Sequence, residues 1–158
     1  MNSPAELRDA FATAVAPLPT AAGGIAILLA TAGPPPTITP LSTGDIVVDG
    51  GTVRLALFAE NSAVSRLGGS CTILVPTDLG PLRVSLQPAD AREAGELAVI
   101  EGDIVSMRPT HEPPWSLRLD FQPTAGQGKE AFLDYWAQVR AWLEQGAPGE
   151  GPQPPDIH

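Results

Sequence analysis

The chain has 158 residues, 43% of them hydrophobic, with 18 acidic against nine basic residues and a net charge of −9. This length is typical of one domain with a real core, and the acidic balance repels phosphate backbones, so we expect no nucleic-acid partner. Cys71 is the only cysteine, which excludes an internal disulfide and favours a reducing compartment, the cytoplasm. The longest apolar run, "GGIAILLATAG", is short of a bilayer span, so we expect no membrane partner.

The first predicted element is a helix that begins near Ser3. Ser3 and Glu6 form an S-x-x-E capping box with a proline at the first helical position, and Leu7 and Phe11 follow at helical spacing. We expect the helix to stop near Pro17, because proline lacks the backbone donor and clashes with the preceding turn.

From Gly24 to Pro123 the hydrophobic period becomes that of strands. Turn residues bound seven short runs, at 25–31, 37–41, 52–59, 71–76, 82–87, 96–107 and 116–121. Alternation in three of them predicts a core face made of Val53, Leu55, Leu57, Leu82, Val84, Leu86, Leu117, Leu119 and Phe121. The opposite face carries Arg54, Arg83, Ser85, Arg118 and Asp120. The pattern predicts a mainly β fold, a barrel or a sandwich.

The segment 60–69 interrupts the strands with a predicted helix of one or two turns. Asn61 and Ser62 are good N-caps, and the glycine pair after Leu67 is a natural stop. A helix start beside hydroxyls and the guanidinium of Arg66 can hold a phosphate. The same pattern also fits an ordinary capped connector with Arg66 in solvent.

A second amphipathic helix is predicted over 129–145, with an apolar stripe that packs on the barrel. The stripe consists of Phe132, Trp136, Val139 and Leu143, widened by Tyr135 and Trp142. The remainder, 146–158, is rich in glycine and proline. We therefore predict a single domain over 1–145 and a flexible C-terminal tail over 146–158.

Several chemistries lack the residues they need. His111, His158 and Cys71 form no pair at zinc spacing, so no metal site is expected. "GGSCT" lacks the second glycine of a nucleophile elbow, and "AGQGKE" lacks the spacing of a phosphate loop. Cys71 opens an apolar strand and is interpreted as a small buried hydrophobe. No catalytic residue is identified.

The element order resembles the pyridoxamine 5'-phosphate oxidase-like family of FMN-binding split barrels. The segments that carry this resemblance are "AILLATAG", "PTITPLST", "DGGTVRLALF", "NSAVSRLGGSCTILV" and "GPLRVSLQP", within about residues 5 to 123. It implies a split β-barrel of the Greek-key type, with six to seven strands and N-terminal, short middle and C-terminal helices. It also implies a homodimer with the flavin between the two subunits.

The resemblance assigns cofactor contacts residue by residue. Thr39, Pro40 and Leu41 would border the flavin ring, Ser62, Ser65 and Arg66 would hold the phosphate, and Arg83 would be a secondary anion contact. Val64 stands near the place where many members carry a lysine or arginine, so the basic contact is either displaced to Arg66 or absent.

The implied function is that of an FMN-binding, oxidoreductase-like protein acting on a small molecule. A flavin carries its own redox chemistry, so the protein need only bind and orient it. The alternative is a flavin-free split-barrel dimer that serves as a binding or structural module. Heme or deazaflavin in the same groove is equally compatible with the sequence.

Overall fold

A computed structural model describes residues 2–31, 36–65, 71–110, 120–121 and 129–155. Its helices are α1 (Pro4–Val15), α2 (Ser62–Ser65) and α3 (Lys129–Glu144), and a 3-10 turn covers Thr43–Asp45. Its strands are β1 (Gly24–Ile25), β2 (Ile27–Thr31), β3 (Thr37–Leu41), β4 (Ile46–Asp49), β5 (Thr52–Phe58), β6 (Cys71–Val75), β7 (Leu82–Ala94), β8 (Leu97–Pro109) and β9 (Asp120–Phe121). None of the helices in these ranges is long and apolar enough to cross a bilayer.

One antiparallel sheet of seven strands organises the fold, in the order β3-β2-β6-β7-β8-β5-β4. The sheet is curled, and β3 and β4 remain its two edges among the described strands. The connection from β5 to β6 passes β8 and β7, which is a Greek-key crossover. The predicted mainly β split-barrel fold is confirmed.

The main core lies on the concave side of the sheet and is closed by α1. Val53, Leu55, Leu82, Val84 and Leu86 are all fully buried there, as the alternation predicts, and Leu57 is nearly so. Leu117, Leu119 and Phe121 are predicted on the same face, but their side chains lie outside the part of the chain that the structure describes. Helix α1 adds Leu7, Phe11 and Val15, and its predicted capping box is present, with the N–H of Glu6 donating to Ser3 Oγ.

A second, smaller core covers the other side of β5 and β8. Ala56, Leu97 and Val99 of the sheet pack against Tyr135, Val139, Trp142 and Leu143 of α3. The strands β5 and β8 therefore have apolar residues on both faces, and α3 is held against the outside of the half-barrel.

The structure differs from the prediction at two strands: β7 is longer than predicted, and β4 was not predicted. β7 continues past Gln87 to Ala94, although proline was expected to end it. The register of the β7–β8 pairing shifts between Pro88 and Asp90, and this irregularity accommodates the N–H donor that proline lacks. β4 was not predicted, because four residues give too short an alternation. It pairs with β5 across a turn in which Gly50 has φ +59°.

The chain after α3 makes specific contacts. Gly146 (φ +90°) donates to the carbonyl of Leu143, and Ala147, fully buried, donates to that of Trp142, which together form a Schellman motif. The indole Nε1 of Trp142 donates to the carbonyl of Pro148 at 2.8 Å. Gly151 donates to Ala94 at 3.0 Å. The domain boundary at residue 145 and the flexibility of 146–158 stay predictions, but the segment 146–151 has partners on the barrel.

Candidate functional site

A cavity of about 280 Å³ opens at the split of the barrel. It lies between the edge strand β3, the end of β5, the 3-10 turn and the first half of α3. Its apolar wall comes from the sheet, the aromatic wall from α3, and polar groups from the turn and from the residue before α2. The lining residues are Ala26, Thr39, Pro40, Leu41, Ser42, Asp45, Ala56, Leu57, Phe58, Asn61, Leu97, Phe132, Tyr135 and Trp136.

The aromatic wall follows from helical spacing, because Phe132, Tyr135 and Trp136 lie three and four residues apart. The ring centroids of Phe132 and Tyr135 are 6.0 Å apart and nearly perpendicular, and those of Phe132 and Trp136 are 5.7 Å apart. Tyr135 is buried in the second core, as predicted for this stripe. Phe132 and Trp136 are only half-buried and also present ring surface to the cavity.

The opposite wall contains the segment predicted to border a ring. Thr39, Pro40 and Leu41 all line the cavity, and Leu41 is buried. The hydroxyl of Thr39 lies 3.5 Å from Asn61 Oδ1. The same oxygen accepts the N–H of Ala63 at 2.9 Å, so Asn61 caps α2 as the sequence predicts. The structure thus places β3 and the start of α2 at one rim.

Asp45 is the acidic residue of the described lining. Its Oδ2 accepts from the N–H of Ser42 at 2.9 Å and from Ser42 Oγ at 3.1 Å. Burial raises the pKa of the Asp45 carboxyl to about 6, against the lowering effects of Ser42 and of the Arg140 charge. Sequence reasoning missed both residues. The signal was present, since "STGD" at 42–45 is an S-x-x-D capping box.

Arg140 of α3 fixes the 3-10 turn. Its guanidinium donates to the carbonyl of Thr43, and also to the carbonyls of Val15 at 2.6 Å and Ala16 at 3.0 Å at the end of α1. Partial burial lowers the pKa of Arg140, and the charges of Glu144 and Asp45 oppose this. One side chain therefore holds α1, the turn and α3 in register beside the cavity.

Gly44 allows α3 to approach the turn closely. A Cβ built on Gly44 would lie 2.5 Å from Trp136 Cβ and 3.2 Å from Trp136 Cα, closer than two carbon atoms can pack. The position of Trp136 in the cavity wall thus depends on the missing side chain at residue 44.

Tyr135 and Asp45 both line the cavity. Burial, together with the negative charges of Asp45 and Glu96, raises the pKa of the Tyr135 phenol to about 12. The phenol is therefore neutral at physiological pH.

The described lining of the cavity does not include the predicted anion contacts Ser62 and Arg83. Ser62 begins α2 and is exposed, Ser65 ends α2, and Arg66 lies outside the described residues. Arg83 is exposed on the convex face, opposite Arg108 in the ladder and three strand positions, about 14 Å, from β3. The structure brings together Thr39, Pro40 and Leu41. It does not bring Arg83 to them, and the anion contacts stay predictions.

Other reactive groups lie elsewhere. Cys71 is 2% exposed, and burial raises the pKa of its thiol to about 11, which confirms its interpretation as a buried hydrophobe. No cluster of three or more histidine, cysteine or acidic residues able to hold a metal occurs in the part of the chain that the structure describes. His111 and His158 lie outside that part.

No protein-family model matches this chain, and no curated protein matches it. Among solved structures, it is similar to an NADH:FAD oxidoreductase of Streptomyces globisporus, at 13% identity and a TM-score of 0.47, over 76% of this chain and 90% of that one. It is similar to an FMN-bound protein of Methanosarcina mazei, at 11% identity and a TM-score of 0.46, over 80% of this chain and 78% of that one. It is also similar to flavoredoxin of Methanosarcina acetivorans, at 11% identity and a TM-score of 0.46, over 68% of this chain and 91% of that one. These similar structures include an FMN-bound protein and a flavin oxidoreductase. At these identities the likeness concerns the fold alone, so a ligand has to be argued from the cavity.

Proposed function

We propose that the cavity binds the ring system of a flavin, and that the chain is an FMN-binding, oxidoreductase-like protein acting on a small molecule. One observation carries the proposal: the β3 segment that the sequence resemblance assigns to the ring, Thr39 to Leu41, lines a cavity whose facing wall is aromatic. A flat heteroaromatic ring suits two apolar walls with a few polar groups at the rim.

The lining residues fit a ring better than a complete nucleotide. The volume of about 280 Å³ is at the lower end of the roughly 300–1,000 Å³ usual for ligand pockets. The described lining contains Asp45 and no lysine or arginine. A phosphate would therefore need partners beyond the described lining, and Ser62, Ser65 and Arg66 remain the proposed contacts.

When bound, a flavin supplies the redox chemistry, and the protein supplies binding and orientation. Phe132 and Trp136 provide an apolar surface that excludes water from one side of the ring. Thr39 and Ala56 are small enough to leave space for it on the other side. Asn61 and Ser42 offer hydrogen-bonding groups at the rim.

Titration of the purified protein with riboflavin and with FMN, followed by flavin and tryptophan fluorescence, tests the proposal. We expect saturable binding of both ligands by the wild type. Thr39→Phe should abolish it by filling the cavity, whereas Thr52→Phe, a threonine at the far end of β5 bonded to Asp103, should not. Folded protein that binds neither flavin would refute the flavin function and favour the flavin-free binding or structural module.

We also propose that two copies associate through the convex face of β2, β3 and β6. Leu28, Ile38 and Leu74 point away from the core there, and Ile38 is 70% exposed. A second copy would cover this apolar surface, and a twofold axis would place the same strands on both sides of the contact.

A further inference from the structure

Among the described residues, one carboxylate oxygen of Asp45 is engaged in hydrogen bonds and the other is not. Both of its hydrogen bonds, from the N–H and the hydroxyl of Ser42, end on Oδ2. No donor among the described residues reaches Oδ1. Because Asp45 lines the cavity and is less than half exposed, this oxygen is a hydrogen-bond acceptor at a largely apolar site.

The titratable neighbours of Asp45 do not neutralise its carboxylate through an ion pair among the described residues. Arg140 and Tyr135 of α3 are the titratable groups that interact with Asp45. The guanidinium of Arg140 is bound to the carbonyls of Val15, Ala16 and Thr43, and no ion pair joins it to Asp45 among the described residues. Tyr135 carries a neutral phenol. Farther out, Glu96 faces Tyr135 and Glu144 faces Arg140.

An acceptor of this kind discriminates between ligands. Binding is disfavoured when a ligand covers a partly desolvated carboxylate without donating a hydrogen bond to it. Binding is favoured when the ligand does donate, because a charge-assisted hydrogen bond forms. The two apolar walls restrict the ligand to a flat ring. They do not distinguish one flat ring from another.

We propose that Asp45 is the specificity-determining residue of the cavity and accepts a hydrogen bond from a ring N–H of the ligand. The ligand class is then a flat heterocycle with an N–H at its edge. For a flavin, which this inference takes from the proposed function, that group is the imide N–H of the isoalloxazine ring. A ring that has a methyl group or a bare acceptor at this position is rejected.

The pKa of Asp45 gives the proposal a second observable. The carboxyl is ionised above about pH 6 and protonated below it. Protonation removes the negative charge that strengthens the hydrogen bond. The affinity for a ring with an N–H therefore falls as the pH drops through 6, and that for an N-methylated ring does not.

The experiment compares riboflavin with 3-methylriboflavin, which has a methyl group in place of the imide hydrogen. We expect the wild type to bind riboflavin tenfold to a hundredfold more tightly at pH 7.5, the size of one charge-assisted hydrogen bond. The ratio should shrink at pH 5. In Asp45→Asn, whose amide keeps an acceptor for Ser42 but lacks the charge, the ratio should approach one. Asp103→Asn, a change at an exposed position of β8, should keep the wild-type ratio of the two affinities.

The outcomes separate this inference from the proposed function. Equal binding of the two flavins by the wild type overturns the role of Asp45 and leaves flavin binding intact. A methyl penalty that persists in Asp45→Asn is steric and also overturns it. Absence of binding by both flavins refutes the proposed function and with it this inference. The wild-type ratio and its pH dependence need no variant, so they decide the question even if Asp45→Asn does not fold.

Discussion

The guanidinium of Arg140, on α3, donates a hydrogen bond to the carbonyl oxygen of Val15, at the last residue of α1, at 2.6 Å. The last carbonyls of a helix have no partner within the helix, and a positive charge there is favoured by the helix dipole. Elements separated by more than 100 residues in the chain are joined at this point.

Replacing Arg140 with methionine should therefore destabilise the fold. We expect a loss of about 2 kcal/mol in the free energy of unfolding, because several carbonyls lose a charged donor and the site is only half-buried. Urea denaturation measures it. Arg108→Met, at an exposed position of β8, should change the free energy of unfolding by less than about 0.5 kcal/mol. Equal effects of the two changes would show that the Arg140 contacts contribute little.

Gly44→Ala should displace α3 from the 3-10 turn. The new methyl group would overlap the Cβ of Trp136, and overpacking of this kind costs about 1–3 kcal/mol. Thermal denaturation and flavin titration should both report the change, since Trp136 lines the cavity. Gly51→Ala is the matched control, because nothing lies within 4 Å of a Cβ built there. A wild-type melting temperature for Gly44→Ala would contradict the close approach.

Truncation after Gln145 should destabilise the protein, because the segment 146–151 makes contacts with the rest of the chain. It removes the Schellman motif, the buried Ala147 and the acceptor of Trp142 Nε1, together about 2–4 kcal/mol. Truncation after Pro152 keeps all of these contacts and should leave the free energy of unfolding near that of the wild type. If both truncations are neutral, the segment is the flexible tail of the original prediction.

The stability contribution of Asp45 should decrease as the pH rises. Its pKa of about 6 in the folded chain exceeds the ordinary 3.8, so between these values the folded state holds a proton that the unfolded state has lost. From pH 4 to pH 7, wild type should lose about 2 kcal/mol relative to Asp45→Asn. Urea denaturation at a series of pH values measures the difference. A pH-independent difference would mean that the Asp45 pKa is not raised by burial.

The proposed dimer should have twice the 16.4 kDa mass of one chain. Ile38→Glu introduces a charge into the convex face and should give a monomer in light scattering, with an unchanged circular dichroism spectrum. Val105→Glu, at an apolar position of β8 that is 58% exposed, should remain dimeric. A wild-type monomer across a wide range of concentrations would reject the dimer, and a dimer insensitive to Ile38→Glu would reject this face.

The sequence predicts elements whose signals are local. The capping box at Ser3 and the strict alternation of β5 leave few alternatives, and the observed bounds of α1, β3 and β5 follow the predicted ones closely. The prediction that β7 ends before Pro88 is wrong, because a bulge that accommodates a proline depends on the partner strand and not on the residues next to the proline.

Only part of the candidate cavity lining could be predicted, for a similar reason. Thr39, Pro40 and Leu41 come from the resemblance in element order, which can be read along the chain, and their contact with a cofactor stays a prediction. The roles of Ser42, Asp45 and Trp136 depend on how closely α3 approaches a turn about ninety residues earlier, and Arg140 sets that approach. Long-range packing of this kind leaves no periodic signal in either segment.

Pro40 has a consequence for assembly as well as for the cavity. It is the fourth of the five residues of β3, an edge of the sheet, and has no N–H with which to pair a further strand. At the other edge, β4 is four residues long and contacts α3. Neither border offers a long row of backbone donors and acceptors, so extension of the sheet from one copy into the next, the first step toward fibrous aggregation, is disfavoured. A chain that exposes apolar side chains on its convex face can therefore associate face to face without risking growth edge to edge.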